Sequence, residues 1–227
     1  FGNDTIEGGN GDDEFRGQDG FDLINARLGN DLVNAGNGAD TVNGGEGNDT
    51  VFGGNGRDVV YLNQGDDVFF DNDQGSLFGQ DTVFGGLGND TIEGGHGRDF
   101  FDGGQGDDQN FARFSAGLVI GRAGAGSIAG GLGNDTLNGG AGSDTVTGGA
   151  DADLFVFDVR LANPGTDLVT DFELGVDTFR VIGGASASVT YDDMANEVTV
   201  AIDGEDIAVL QSNRVLSALS LNDIDIV

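Results

Sequence analysis

The segment Gly44-Gly45-Glu46-Gly47-Asn48-Asp49-Thr50-Val51-Phe52 decides the fold. Its glycines permit positive φ and close backbone approach, so six residues can turn tightly. The last three can extend. Alternation along a strand then sends Val51 to one face and Thr50 and Phe52 to the other. The same unit returns as Gly85-Gly86-Leu87-Gly88-Asn89-Asp90-Thr91-Ile92-Glu93.

Outward from these units the period is nine. Asp4, Asp13, Asp22, Asp31, Asp40, Asp49, Asp58 and Asp67 follow one another at nine-residue intervals. After a jump of fourteen come Asp81, Asp90, Asp99 and Asp108, and after a jump of 27 come Asp135, Asp144 and Asp153. Two residues after each position stands a second column: Ile6, Phe15, Ile24, Val33, Val42, Val51, Val60, Phe69, Val83, Ile92, Phe101, Asn110, Val119, Ile128, Leu137, Val146, Phe155. Asn110 is its one polar member. The apolar column is expected to point inward, and the residues flanking it outward.

These columns resemble the RTX family, whose hemolysin-type nonapeptide is G-G-x-G-x-D-x-U-x with U a large apolar residue. One match to so loose a pattern is weak; fifteen in phase are specific. The resemblance implies an all-β fold, a right-handed parallel β-roll in which two nonapeptides make one coil, closed by a C-terminal β-strand cap. Seventeen periods predict about eight coils at ~4.8 Å spacing. It also implies calcium. Stacked turns bring aspartates of turns n and n+2 together, a ladder of like charges costing ~1 kcal/mol per pair in water and more when desolvated. Calcium takes six to eight oxygens, backbone carbonyls among them, and all fifteen column aspartates are its candidate ligands. Pairing turns two apart gives eleven pairs, hence about ten ions. Eleven would move the net charge from -31 to -9.

Composition narrows the alternatives. The 227 residues carry 40 acidic groups, 33 of them Asp, against nine Arg and no Lys, Cys or Trp. Disulfides and thiolate metal sites are therefore impossible, and a polyanion such as nucleic acid would be repelled. No stretch approaches the ~20 apolar residues of a transmembrane helix, and no signal peptide stands at the N-terminus. Leu, Ile, Val and Phe make up about 28% of the chain, above the level of disordered sequences. The lone His96 lies in a turn with no nucleophile or metal motif around it, so no catalytic residue is assigned. Regularly spaced carboxylates are explained by calcium without glycosidase chemistry.

Three departures mark the pattern. Residues 71–84 hold a repeat plus five extra residues, read as a loop near 71–80 whose Asp71 and Asp73 either bind calcium or are solvated. Residues 112–129 carry Gly117 and Gly126 in the Asp column while keeping Val119 and Ile128. The coil is expected to continue there without calcium, with Arg113 and Arg122 as candidate replacement charges; an apolar excursion that docks elsewhere is the alternative. The position after U holds Phe52, Tyr61, Phe70 and Phe84 in succession. They read as a surface for self-association or an upstream domain, or as ordinary cross-strand pairs.

Residues 1–156 are thus a calcium-binding roll and 157–227 a cap with a secretion-signal region. The stretch Asp167-Leu168-Val169-Thr170-Asp171-Phe172-Glu173-Leu174-Gly175-Val176-Asp177 resembles the post-roll cap of serralysin-type proteases and alginate epimerase modules, and Asp167, Asp171 and Asp177 are candidates for one more ion. Strands are expected at 189–191, 198–202 and 207–210, and a short helix or turn at 216–221. The ending Asp223-Ile224-Asp225-Ile226-Val227 resembles the tails of type I secretion substrates, whereas Phe1 falls inside a turn, as if sequence preceded it. The resemblance implies a secreted or cell-surface module exported by a type I system. It would fold when extracellular calcium reaches it. A surface, S-layer or adhesive rod is the alternative; mixed outward residues argue against an ice-binding plane.

Overall fold

The computed structural model describes residues 2–71, 79–113, 117–161, 165–183, 187–192, 197–202, 205–211 and 224–226. Their strands form two facing ladders, and the chain alternates between them at each turn. One sheet runs β1 (Thr5–Glu7), β3 (Leu23–Leu28), β5 (Thr41–Glu46), β7 (Val59–Gln64), β9 (Thr82–Leu87), β11 (Phe100–Gln105), β13 (Leu118–Ile120), β15 (Thr136–Asn138), β17 (Leu154–Asp158), β19 (Thr178–Ile182) and β23 (Ile224–Ile226). The other runs β2 (Glu14–Asp19), β4 (Leu32–Gly38), β6 (Thr50–Gly56), β8 (Val68–Phe70), β10 (Thr91–Glu93), β12 (Gln109–Arg113), β14 (Ser127–Leu132), β16 (Thr145–Ala150), β18 (Asp167–Val169), β22 (Glu205–Gln211), β21 (Glu197–Ile202) and β20 (Ala187–Asp192). This is the parallel β-roll with a β-strand cap. No helix of the described residues is long and apolar enough to cross a membrane.

Register follows the apolar column. Val42 pairs with Val60, Val60 with Val83 and Val83 with Phe101 on one sheet; Val33, Val51, Phe69 and Ile92 stack on the other. These side chains are fully buried between the sheets. Most strands of the roll are longer than the three residues expected, while β1, β8, β10, β13 and β15 keep to three. In β5 and β9 the chain stays extended through the next two glycines, and the bend proper occupies only the Gly-x-Asp that follows. Alternation explains this. The first glycine of each repeat lies two residues beyond U and faces inward too, and Ala26, Ala35 and Leu62 at that position join the core.

The irregular stretches do not break the ladder. β7 pairs with β9, and β8 with β10, in the same register as their neighbours although the intervening period is fourteen. Across 112–129 the coil continues as expected, with Val119 between Phe101 and Leu137. Parallel pairing also runs past residue 156: Val146 meets Val169, and Phe155 meets Phe179. The antiparallel meander β20–β21–β22 then closes one sheet and β23 pairs with β19 on the other. The expected strands at 189–191, 198–202 and 207–210 lie within that meander. Asp73, the helix or turn at 216–221, and residues 223 and 227 lie outside the described residues.

Candidate metal centre

Each Gly-x-Asp bend places its aspartate at one of the roll's two edges. Asp4, Asp22, Asp40, Asp58, Asp81, Asp99, Asp135 and Asp153 stack on one, the Asp4 edge. Asp13, Asp31, Asp49, Asp67, Asp90, Asp108 and Asp144 stack on the other, the Asp13 edge. The stacking is a hydrogen-bond ladder. The amide of Asp22 donates to Oδ1 of Asp40 at 2.8 Å, and that of Asp31 to Oδ1 of Asp49 at 2.8 Å. Across the fourteen-residue interval the rungs still close: Asp58 donates to Asp81 at 2.8 Å and Asp67 to Asp90 at 3.0 Å. Gly117 and Gly126 stand in the ladder as donors to Asp135 and Asp144. All eleven anticipated pairs meet in this way.

Asp167 and Asp177, candidates for one more ion in the cap, stand in the ladders themselves. Asp144 donates to Asp167, and Asp153 to Asp177, so the columns extend into the cap. The signal was present, because Asp167 follows Asp153 by fourteen residues just as Asp81 follows Asp67. Asp171 instead accepts from the amides of Gly148 and Gly149.

The backbone amide anchors one carboxylate oxygen and leaves the other turned inward. In Asp22, Asp31, Asp40, Asp49, Asp67, Asp90, Asp108, Asp135 and Asp144, Oδ2 is buried without a hydrogen-bond partner. In Asp22, Asp49, Asp90, Asp108, Asp135 and Asp144 it lies over the first glycine of its own repeat. A Cβ on Gly44 would stand 2.5 Å from Oδ2 of Asp49, and one on Gly103 2.6 Å from Oδ2 of Asp108. Burial pushes the carboxyls of Asp31, Asp40, Asp49, Asp67, Asp90, Asp108, Asp135 and Asp144 up, the amide bond opposes the rise, and neighbouring carboxylates add to it. Asp49 and Asp90 reach about 7, Asp67 about 6 and Asp81 about 8. Asp4 and Asp13, in the first coil, are exposed.

A buried carboxylate without a counter-charge is costly. Among the described residues no three His, Cys, Asp or Glu side chains gather round one point. The oxygens to complete a site must come from the main chain, and the same bends supply them. The carbonyl of Gly29 faces Gly47, and that of Gly47 faces Gly65, so closely that a Cβ there would collide. These glycines hold φ of +120° and +147° at Gly47 and Gly65. Stacked carbonyls beside half-satisfied carboxylates are a donor set for a hard divalent cation.

Other candidates fall elsewhere. Arg122 does not face the Asp column. Its guanidinium grips Asp102 on the outer face, Nη2 to Oδ2 at 2.5 Å, from a backbone at φ +71°. Arg27 reaches Glu7, and Asn63 reaches Asn43, in the same way, each twenty residues back. They act as cross-coil struts. The pair Arg122–Asp102 lies in a trough of about 740 Å³ lined also by Phe84, Ile120 and Asn138. The Arg113 side chain lies outside the described residues. The four aromatics form pairs as the register requires. Phe52 stacks on Phe70 at 5.7 Å and Tyr61 on Phe84 at 5.1 Å, with Phe100 tilted beside Phe84.

A two-sheet parallel roll with two edge columns of glycine and aspartate defines a calcium-binding repeat protein. The chain belongs to the RTX calcium-binding nonapeptide repeat family, which matches residues 1–33, 34–69, 78–109 and 120–155, more than half of its length. No curated protein matches it in sequence. Among solved structures it is similar to the extracellular lipase LipA from Serratia marcescens (19% identity, TM-score 0.43, 83% of this chain and 40% of the lipase). It is also similar to the AlgE6R3 subunit of the Azotobacter vinelandii mannuronan C5-epimerase (26% identity, TM-score 0.40, 52% of this chain and 78% of the subunit). The chain thus spans less than half the length of the lipase. The matched family is a calcium-binding repeat, and no catalytic family is indicated.

Proposed function

We propose that the chain is the calcium-binding module of a secreted protein, exported by a type I system and folded by extracellular calcium. The observation that carries this reading is the row of buried, half-satisfied carboxylates beside stacked glycine carbonyls. All fifteen column aspartates, Asp4 to Asp153, are assigned as ligands, with backbone carbonyls completing each site, and about ten ions per chain. Residues 1–156 are the roll and 157–227 the cap and export region. Calcium supplies the charge that the ladder lacks, so binding free energy becomes folding free energy. At submicromolar calcium the chain stays open. At the millimolar levels outside cells it exceeds the ~10⁻⁴–10⁻³ M affinities of extracellular modules and closes. Catalysis, if the whole protein has it, is assigned to another part of that protein.

A calcium titration followed by circular dichroism, with bound metal counted on the same sample, tests this. A cooperative coil-to-strand transition with about ten ions supports it. A chain already folded in chelator, or one that takes up one or two ions, overturns it. The aromatic pairs favour a second reading, a surface rod that assembles through its faces, for which multimers that dissolve in chelator would be the sign.

A further inference from the structure

The two edges carry the same aspartate column but differ at the fourth and fifth positions beside it. On the Asp13 edge the fourth position is glycine at every turn: Gly11, Gly29, Gly47, Gly65, Gly88, Gly106, Gly124, Gly142 and Gly165. Each of these from Gly29 onward faces the carbonyl of the one before, through both long intervals. On the Asp4 edge the series is broken by Ser115 and Asp151.

The fifth position differs more. On the Asp13 edge it holds Asp12, Asn30, Asn48, Asp66, Asn89 and Asp107, and these form a second ladder outside the first. The amide of Asn30 donates to Asp12, Asn48 to Asn30, Asp66 to Asn48, Asn89 to Asp66 and Asp107 to Asn89, all at 2.8–3.0 Å. On the Asp4 edge the corresponding residues are Asn3, Phe21, Ala39, Arg57, Gln80 and Arg98. Phe21 is 64% exposed. Among the described residues that edge keeps two such rungs, from Phe21 to Asn3 and from Ala152 to Asn134. The fifth positions thus bring three carboxylates and no cation to one edge, and two guanidinium groups and no carboxylate to the other.

We infer that the edges are two unequal classes of calcium site, the Asp13 edge filling first and the Asp4 edge second. This rests on the calcium-binding reading above. The outer ladder closes together with the bends of the Asp13 edge, and its hydrogen bonds offset part of the ordering entropy that opposes binding there. Its extra carboxylates attract a divalent ion. Arg57 and Arg98, next in sequence to Asp58 and Asp99, repel one, and a single cation about 7 Å away in water-like surroundings weakens a divalent site roughly ten-fold. Calcium rising through its range would first zip one edge as a spine and then lock the other.

The chain has no tryptophan, so a reporter can be placed on each edge. Ala39→Trp puts an indole beside Arg57 on the Asp4 edge, in the row that already accepts Phe21. Leu87→Trp puts one on the Asp13 edge beside Asp90. Each is titrated with terbium, whose luminescence the indole sensitises. The Leu87→Trp signal should saturate at roughly ten-fold lower metal than the Ala39→Trp signal. Adding Arg57→Asn and Arg98→Asn should move the Ala39→Trp curve toward the other and leave the Leu87→Trp curve in place. Coincident curves, or an Ala39→Trp curve unmoved by the arginine substitutions, overturn the inference while leaving calcium binding intact. Absence of metal uptake at both edges overturns the proposed function instead. A calcium isotherm of the unsubstituted chain draws the same distinction without tryptophan: two classes of similar number support the inequivalence, and one class rejects it.

Discussion

Asn110 stands in the inward column between Ile92 and Ile128, fully buried, with neither its amide nitrogen nor its carbonyl oxygen hydrogen-bonded. Leaving such groups unpaired costs about 1–3 kcal/mol. Asn110→Leu, close to isosteric, is therefore expected to raise the unfolding midpoint in saturating calcium, and an unchanged or lower midpoint would show that the amide has a use. Gly38 is the opposite case. It sits at φ +142°, where a Cβ would strike the carbonyl of Gly20. Gly38→Ala should cost about 1–3 kcal/mol of stability, read from denaturant midpoints. Asp49 and Asp67 face each other across one rung at 2.7 Å. Replacing both with Ala should lower the bound calcium count and weaken folding; an unchanged count would reject them as ligands. The aspartates were legible because their spacing alone places them at the turns, alternately on the two edges. The direction of each oxygen was not, since it depends on an amide eighteen residues away.

At the scale of the strand, the sequence pattern sets which residues alternate and the neighbouring coil sets how far a strand extends. The x-U-x core was readable from Thr50-Val51-Phe52. The extension through Gly53 and Gly54 in β6 was not, because glycine's low strand preference is overridden by ladder pairing with the preceding coil. The aromatic rows belong to this scale. Phe52 over Phe70 and Tyr61 over Phe84 are cross-strand neighbours, and such pairs contribute a few tenths to about 1 kcal/mol. If they only brace the sheet, Phe52→Ser with Phe70→Ser lowers the midpoint and leaves association unchanged. If they form a contact surface, sedimentation should show weakened self-association while calcium uptake is spared.

Over the whole molecule, the raised carboxyl pKa values set a pH dependence for the metal-free chain. Groups near 3.8 when unfolded rise to about 6 in Asp67, Asp135 and Asp144, about 7 in Asp153 and Asp167, and about 8 in Asp81. The folded state then holds more protons than the unfolded one across that window. Its stability is fullest below about pH 4 and falls as pH rises through 6 to 8. With calcium stripped by a chelating resin, strand signal in circular dichroism should therefore grow as pH is lowered from 8 to 5. Calcium should reverse the dependence, because it replaces the protons. Adding it near pH 5, where the protonated metal-free chain is folded, should release protons, measurable in a pH-stat, and no release would mean the carboxylates are already ionised in that state.

The nine-residue period, the inward column and the aspartate columns up to residue 153 are local properties, since each depends only on spacing and on which residues can turn or extend. They determine a parallel roll with two edges. The tertiary structure decided the rest: that fourteen-residue intervals close in register, that Asp167 and Asp177 join the columns, that Arg122 braces Asp102 rather than an aspartate of the columns, and that a continuous outer ladder runs along one edge while the other keeps isolated rungs. Each of these is a contact between coils eighteen or more residues apart, and whether such a contact forms depends on the path of the whole coil.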